Sequence, residues 1–540
     1  MTSEPEFDAI VVGAGFAGIY ALYRLRGRGL KVRVIEAGAG PGGTWYWNRY
    51  PGLRCDAQSM TYSYSFSDEV QQEWTWSERF AGQAEILRYI NYVVDRFALR
   101  SDMQFETRVT RAAFDEICGR WMIETDRGER FIARFCVMAT GCLSIPNLPG
   151  IKGLEGFGGA LYHTADWPKQ GVDFSGKRVG VIGTGSSGVQ SIPIIAIQAK
   201  HLTVFQRTAN FSIPARNRPL RPEEVRRWKA NYQALREKCR RSPFGDVYDQ
   251  AEKSVFDVSA EEGRRMLEEA WTKGSFAFIT IFKDILTNQA ANDVVVAFVN
   301  RKIREAIKDP AVAELLCPKD VPIGAKRLCI DTGYYETFNR ANVRLVDLKE
   351  NPIREIRVDG LVAGEESFAL DAIVFATGFD AMTGALFAID LRGRGGVALK
   401  DKWVEGPRTY LGLAVAGFPN LFIVAGPGSP SVVTNMVLSI EQHVDWITDC
   451  VAFLRRRGLE SIEATPESEI AWTRHVGEVA EPTLFVKVKS WYVGANMPGK
   501  PQVIYPYLGG AEKYREICED IVAKGYVGFR LNPAAESRAG

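Results

Sequence analysis

The chain has 540 residues, of which 46% are hydrophobic and 24% charged, the composition of an ordinary globular protein too long for a single core. Sixty-seven Lys and Arg stand against 65 Asp and Glu, and a net charge of +2 gives no support to nucleic-acid binding. Nine cysteines are scattered without a Cys-x-x-Cys or a His/Cys ligand spacing, which suits reduced thiols in a reducing compartment and argues against a metal site. No apolar run reaches the ~20 residues of a membrane helix; the longest, Leu411 to Gly426, is interrupted by Pro419 and Asn420. The first residues lack the basic and apolar regions of a secretion signal. The expectation is a cytoplasmic protein of several domains.

Asp8 to Val12 predicts a buried parallel strand, and Gly13-x-Gly15-x-x-Gly18 follows at once. Helical periodicity runs from Ile19 to Leu25, and a second strand, Lys31 to Ile35, ends at Glu36. In this setting the glycines, with Phe16 and Ala17 between them, let the backbone approach a pyrophosphate at a helix N-terminus. Glu36 then accepts hydrogen bonds from a ribose diol. The stretch Gly42 to Asp56, with Gly43, Thr44 and Trp45, is a glycine- and aromatic-rich loop suited to an aromatic cofactor ring, and Tyr62 lies just beyond it. Taken alone, Asp56 reads equally well as a turn or cap residue.

A helix over 83–97 and strands over 104–135 are expected next, closing in Ala139-Thr140-Gly141. A near copy, Asp371 to Gly378, ends in Ala376-Thr377-Gly378. Two such turns predict two similar dinucleotide folds, one inserted in the other. Between them the strand Lys177 to Ile182 leads into Gly183-Thr184-Gly185-Ser186-Ser187-Gly188, and Gln190 lies on the helical run that follows. The next strand, Leu202 to Phe205, ends in Gln206-Arg207-Thr208 and not in an acid. An arginine and a hydroxyl suit a 2′-phosphate, so the second nucleotide is expected to be NADPH rather than NADH.

From 214 to 325 the character becomes helical, with periodic segments at Glu223 to Arg241, Glu261 to Trp271 and Asp293 to Ile307. The basic run Arg236 to Arg241 reads as a solvated helix face. Lys326 and Arg327 precede a short apolar strand. A strand and a Gly/Pro-rich turn over Pro419 to Ser431 lead to a helix from Asn435 to about Leu454, whose terminal amides, at Asn435 and Met436, are expected near a cofactor ring. Ser490 to Gly499 is a late aromatic loop, and the segment from 534 onward is expected to be disordered.

Between the two glycine fingerprints, Phe157-Gly-Gly159-Ala-Leu-Tyr-His163-Thr-Ala-Asp-Trp167-Pro168 fits Phe-x-Gly-x-x-x-His-x-x-x-Trp-Pro. On these motifs the chain resembles the Baeyer–Villiger monooxygenases from Phe7 to about Arg530, and their phenylacetone-oxidising branch more than the cyclohexanone-oxidising one. Flavin monooxygenases that oxidise nitrogen and sulfur share most of the motif but differ where Trp167-Pro168 stands. A disulfide reductase also uses FAD and NADPH, but it needs a redox cysteine pair that this chain lacks.

The resemblance implies an α/β fold of two Rossmann-like domains for FAD and NADPH, the second inserted in the first and carrying the helical insertion. The corresponding division is 1–142 and 380–540 for FAD, 143–213 and 326–379 for NADPH, and 214–325 for the insertion. It implies oxidation of a ketone by O2 to an ester or lactone through a C4a-peroxyflavin, with sulfoxidation as a side activity, in an enzyme expected to be monomeric. Arg327 resembles the family's active-site arginine, with Asp56 as its carboxylate partner. Lys326 and Arg207, with Thr208 beside it, resemble the contacts to the 2′-phosphate, and Trp491 the loop tryptophan on the nicotinamide side. Phe157, Gly159, His163 and Trp167 belong to a linker whose histidine contacts backbone and is not a catalytic base; without the family, His163 reads as a satisfied core histidine. Val432, Val433 and Thr434 resemble the substrate-pocket wall, and there the chain departs from the phenylacetone-oxidising branch.

Overall fold

The computed structural model describes residues 6–533, so the expectation made for 534 onward lies outside the described residues. Strand Phe7–Val12 pairs in parallel with Val32–Ile35 on one side and with Arg130–Met138 on the other. Its continuous apolar run reflects a sheet covered on both faces. Ala9 and Val11 face helices Phe16–Gly27 and Met436–Arg457, while Ile10 and Val12 face a layer containing Trp121 and Trp403. Eight strands form this sheet. The order runs Asp390–Arg392, Val109–Asp115, Arg120–Thr125, Arg130–Met138, Phe7–Val12, Val32–Ile35, Met103–Gln104, and Leu421–Ile423 also pairs with Arg130–Met138.

The second sheet has five parallel strands in the order Val343–Asp347, His201–Gln206, Arg178–Ile182, Ala372–Phe375, Ala160–His163. All of them fall in sequence between Arg130–Met138 and Asp390–Arg392 of the first sheet. The second dinucleotide fold is therefore inserted in the first. The Phe157–Pro168 segment is more than a linker, because Ala160–His163 is the edge strand of this sheet, in register with Ala372–Phe375.

Ser212–Pro214 and Cys329–Asp331 pair in parallel and draw together the two ends of the helical insertion. Helices Ala260–Lys273 and Gln289–Ala306 contribute to the core of the second fold. Helix Pro222–Arg240 instead packs on the first, where Tyr232 joins the core that holds Met60. This corrects the reading of Arg236 to Arg241 as a solvated face. Arg236 is only 7% exposed. It donates to Gln71 Oε1 (3.0 Å), Ser63 Oγ (2.8 Å) and the carbonyls of Thr61 (3.1 Å) and Tyr64 (3.3 Å). Buried loop carbonyls need donors, and a long guanidinium supplies them.

All nine cysteines are free and eight are buried. Among the described residues no helix is long and apolar enough to cross a membrane.

Candidate active site

The first glycine turn is shaped by close backbone contact. Gly13 has φ +105°, and a Cβ on it would lie 2.6 Å from the Ala139 carbonyl oxygen. A Cβ on Gly18 would lie 1.8 Å from the Gly13 carbonyl oxygen. Gly15 is the N-cap of helix Phe16–Gly27 and provides no side-chain cap, which leaves the first helical amides for an anion. The buried Glu36 carboxylate accepts from the amides of Ala14 and Gly38, both at 2.7 Å, and so fastens the turn from the end of the next strand. Gly43 lies over Gly15: its φ is +51°, and a Cβ there would be 2.8 Å from the Gly15 Cα. Thr44–Trp47 then makes one helical turn. Trp45 Nε1 donates to the Tyr62 hydroxyl at 3.3 Å, and Phe16 meets Tyr62 edge to face at 5.5 Å.

The second turn repeats the geometry. Gly183 has φ +109° and approaches the Ala376 carbonyl, where a Cβ would stand 2.5 Å away; on Gly188 it would stand 2.3 Å from the Gly183 carbonyl. Gly185 caps helix Ser186–Gln198 in the same extended conformation, yet a Cβ on it would meet nothing within 4 Å. Thr184 donates to the Thr208 carbonyl at 3.1 Å, and Ser186 Oγ sits 3.4 Å from Cys329 Sγ. The Gln190 side chain does not face this turn. It accepts from the Tyr50 hydroxyl at 2.8 Å and donates to the Arg54 carbonyl at 3.1 Å, so it ties the second fold to the loop that carries Asp56.

Where Glu36 stands in the first fold, the second has Gln206, buried and donating to the Leu315 carbonyl at 2.7 Å. The exposed Arg207 follows it. Burial, and then the charges of Arg207 and Lys349, hold the Lys326 ammonium below the usual lysine range. Three cations thus share one corner. The sequence reading missed Lys349. Its signal was its position just past strand Val343–Asp347, whose neighbour in the sheet ends at Gln206; the Leu348 amide donates to the Gln206 carbonyl at 2.8 Å.

Arg327 and Asp56, 271 residues apart in sequence, form a bidentate pair: Nε to Oδ2 at 2.9 Å and Nη2 to Oδ1 at 2.8 Å. Arg327 Nη1 also donates to the Val432 carbonyl at 3.2 Å, and its guanidinium lies 4.5 Å from the centre of the Phe276 ring. Burial alone would lower the guanidinium's pKa, but the Asp56 carboxylate and the Tyr492 phenol reverse that and leave it raised. The side chain keeps 28% of its exposure, so it is held in place without being sealed off.

Beside the pair, Val432 and Tyr492 belong to an apolar cluster with Leu143, Leu286, Val433, Met436 and Trp491 packed against it. The Trp491 and Tyr492 ring centres are 4.2 Å apart. Thr434 follows Val432 and Val433; it is buried, and its hydroxyl is engaged by the Pro430 carbonyl and Ser439 Oγ at 3.0 and 2.6 Å. Asn435 caps helix Met436–Arg457 through the Val437 and Leu438 amides and donates to the Thr61 carbonyl at 3.0 Å.

His163 Nδ1 accepts from the Ala165 amide at 3.0 Å, which leaves its proton on Nε2, 3.2 Å from Thr377 Oγ1. Burial lowers its pKa, and the ring is neutral near pH 7. Thr377 in turn donates to the Asn147 carbonyl at 2.5 Å. Trp167 is buried against Tyr162 and Phe174. Gly159 has a packing reason: a Cβ there would stand 2.5 Å from the Phe157 ring and 2.6 Å from the Asp371 carbonyl.

The chain is 43% identical to a Baeyer–Villiger monooxygenase of Pseudooceanicola batsensis, covering 98% of this chain and 97% of that one. This chain belongs to the Baeyer–Villiger monooxygenase family. Among other members, the cyclohexanone 1,2-monooxygenase of an Acinetobacter species is 44% identical, with 98% of each chain covered. A solved structure of oxidised steroid monooxygenase bound to NADP is 53% identical, with a TM-score of 0.94 over 98% of this chain and 100% of that one. The pyridine nucleotide-disulphide oxidoreductase family profile matches residues 10–266. That match spans both glycine turns of this Baeyer–Villiger monooxygenase, while its cysteines, all free and without a Cys-x-x-Cys, leave the disulfide chemistry unsupplied.

Proposed function

We propose that this monooxygenase uses NADPH and O2 to convert ketones to esters or lactones, with Arg327 as the residue that meets the reacting oxygens. The observation that carries the reading is the Arg327–Asp56 pair beside an apolar wall, joining the segment after the second fold's insertion to the aromatic loop of the first. The residues fit a flavin dinucleotide, because Gly13 and Gly18 press the turn against backbone that a Cβ would strike, and Gly15 leaves the first amides of helix Phe16–Gly27 without a side-chain cap for a pyrophosphate. FAD, once bound and reduced, supplies the activated oxygen that the side chains here cannot.

Oxygen attack on a carbonyl turns its oxygen into an alkoxide, so a fixed positive charge beside it lowers the barrier. Arginine suits this place since its pKa stays above ~12 and it does not lose its proton. Asp56 aims the guanidinium and offsets its desolvation. Gly183, Gly185 and Gly188 receive the NADPH pyrophosphate, with Thr184, Ser186, Ser187 and the Ala376-Thr377-Gly378 turn around it. Arg207, Lys326 and Lys349 hold the 2′-phosphate, and Thr208 lies beside them. Ala17, Thr44, Trp45, Tyr62 and Met436 surround the flavin. Val432 and Val433 shape the ketone pocket, and Trp491 closes the nicotinamide side against water. His163 holds the second Ala-Thr-Gly turn and takes no proton from substrate. The division into FAD segments 1–142 and 380–540, NADPH segments 143–213 and 326–379, and insertion 214–325 follows the same reading, as do a monomer and a cytoplasmic setting.

The test is product analysis with isotope-labelled O2, NADPH and a panel of aryl, cyclic and linear ketones. Ketone-dependent NADPH oxidation and an ester carrying one labelled oxygen are expected. Efficient oxygenation of a sulfide or amine, with no ester from any ketone, would overturn the reading in favour of soft-atom oxidation.

A further inference from the structure

Away from both glycine turns, helices Phe16–Gly27, Pro222–Arg240, Met436–Arg457 and Ala511–Ala523 enclose a cavity of about 180 Å³. Its walls carry four arginines, Arg24, Arg236, Arg240 and Arg515, and two carboxylates, Glu441 and Asp445. Both carboxylates are already engaged. Glu441 accepts from the Ser65 amide at 2.7 Å and the Ser65 hydroxyl at 2.6 Å. Asp445 accepts from the Tyr20 hydroxyl at 2.7 Å and pairs with Arg24 at 3.0 Å. Arg236 is saturated by the four neutral acceptors described above.

Two guanidiniums remain. Arg240 makes one long contact, 3.4 Å to Glu237, whose other oxygen is taken by Arg241 at 2.7 Å. The Arg515 side chain donates no hydrogen bond among the described residues, and its Nε is buried without a partner. Burial, and then the charge of Arg240, hold the Arg515 guanidinium below the usual arginine range, against the opposing charges of Glu519 and Asp445. A buried donor without an acceptor is costly, and two like charges facing one cavity add to that cost.

We propose that this cavity binds a small tetrahedral oxyanion, inorganic phosphate or sulfate, between Arg240 and Arg515. The guanidinium fork matches such an anion in two-point contact. The volume admits the anion with a few waters of ~30 Å³ each, and it falls below the ~300 Å³ at which drug-sized ligand pockets begin. Since Arg240 lies on the insertion and Arg515 on the C-terminal helix, the anion clamps both to the first dinucleotide fold. Its effect is on stability, not on the chemistry at Arg327.

The experiment is thermal unfolding of the FAD-loaded protein, saturated with NADP+ so that Arg207 and Lys326 are occupied, in phosphate, sulfate or chloride at equal ionic strength. Phosphate and sulfate are expected to raise Tm by roughly 2–4 °C over chloride at saturation. Arg515→Gln and Arg240→Gln are expected to abolish that rise with kcat unchanged, and Arg515→Lys to keep part of it. Calorimetric titration of the same NADP+-saturated protein with inorganic phosphate should lose one site in either Gln variant. An equal Tm rise in wild type and Arg240→Gln, or no difference between phosphate and chloride, would overturn the proposal. Should Arg515→Gln fail to fold, Arg240→Gln, on a partly exposed side chain, carries the same comparison.

Discussion

The two glycine turns begin alike, with Gly13 and Gly183 at φ +105° and +109° and each pressed against an Ala-Thr-Gly turn. They part at the middle glycine. Gly15 is roofed by Gly43 and fastened by Glu36, whereas Gly185 faces open space and Gln206 turns inward, leaving Arg207 exposed. A roofed cradle suits a nucleotide that stays bound, and an open one with loose cations at its rim suits a nucleotide that exchanges every turnover. On the proposed assignment, the same local motif serves both uses, and the difference lies in what packs over it.

The largest effect is expected where the two turns agree. Gly18→Ala puts a methyl 1.8 Å from a backbone oxygen, a clash worth on the order of 4 kcal/mol. The variant should accumulate as unfolded or flavin-free protein, read from the yellow absorbance of the soluble fraction.

Arg327 belongs to neither turn and sharpens the comparison by lying between them. Arg327→Ala should keep NADPH oxidation and FAD content but lose ester formation by roughly 3–4 kcal/mol, a factor of several hundred. Ester at the wild-type rate in that variant would remove the role assigned here.

The roof itself is tested by a matched pair. Gly43→Ala, strained at φ +51° and 2.8 Å from Gly15, should weaken FAD retention by about 1–3 kcal/mol, measured by flavin release on dilution. Gly185→Ala should leave FAD content intact and raise the NADPH KM about tenfold. If both variants shed FAD alike, the distinction between roofed and open cradles fails.

At the rim, Arg207→Ala should raise the NADPH KM by roughly tenfold, a lost charge-assisted contact of about 1.5 kcal/mol, with NADH little changed. Lys349→Ala should do the same more weakly.

The smallest effect is a pH dependence. Lys326 is held below its ordinary range by burial, Arg207 and Lys349, and a 2′-phosphate favours its charged form. NADPH affinity should therefore be highest below the free-enzyme Lys326 value and decline as pH rises through it. NADH should show no such decline, and Lys326→Arg should flatten the NADPH curve, as steady-state KM against pH will show.

Much of the fold was legible because its signals are local. A run such as Asp8 to Val12 followed by three spaced glycines has one low-energy use, and its repetition at 178–188 announced the inserted second copy. The helix Met436–Arg457 and its Asn435 cap were readable from period and capping chemistry. Gly159 was readable as a motif position, although its reason, the approach of Phe157 and Asp371, was not.

What sequence left undecided was the partner of each charged group. Asp56 read as well as a turn residue as it did as a site residue, until the fold brought it 2.8 Å from Arg327. Arg236 read as solvated until a loop of the other domain presented its carbonyls. Periodicity and spacing act over a few residues and record which face a side chain occupies. Whether a charge meets water, a carboxylate or an empty cavity depends on segments hundreds of residues away, and only the packed tertiary structure brings those together.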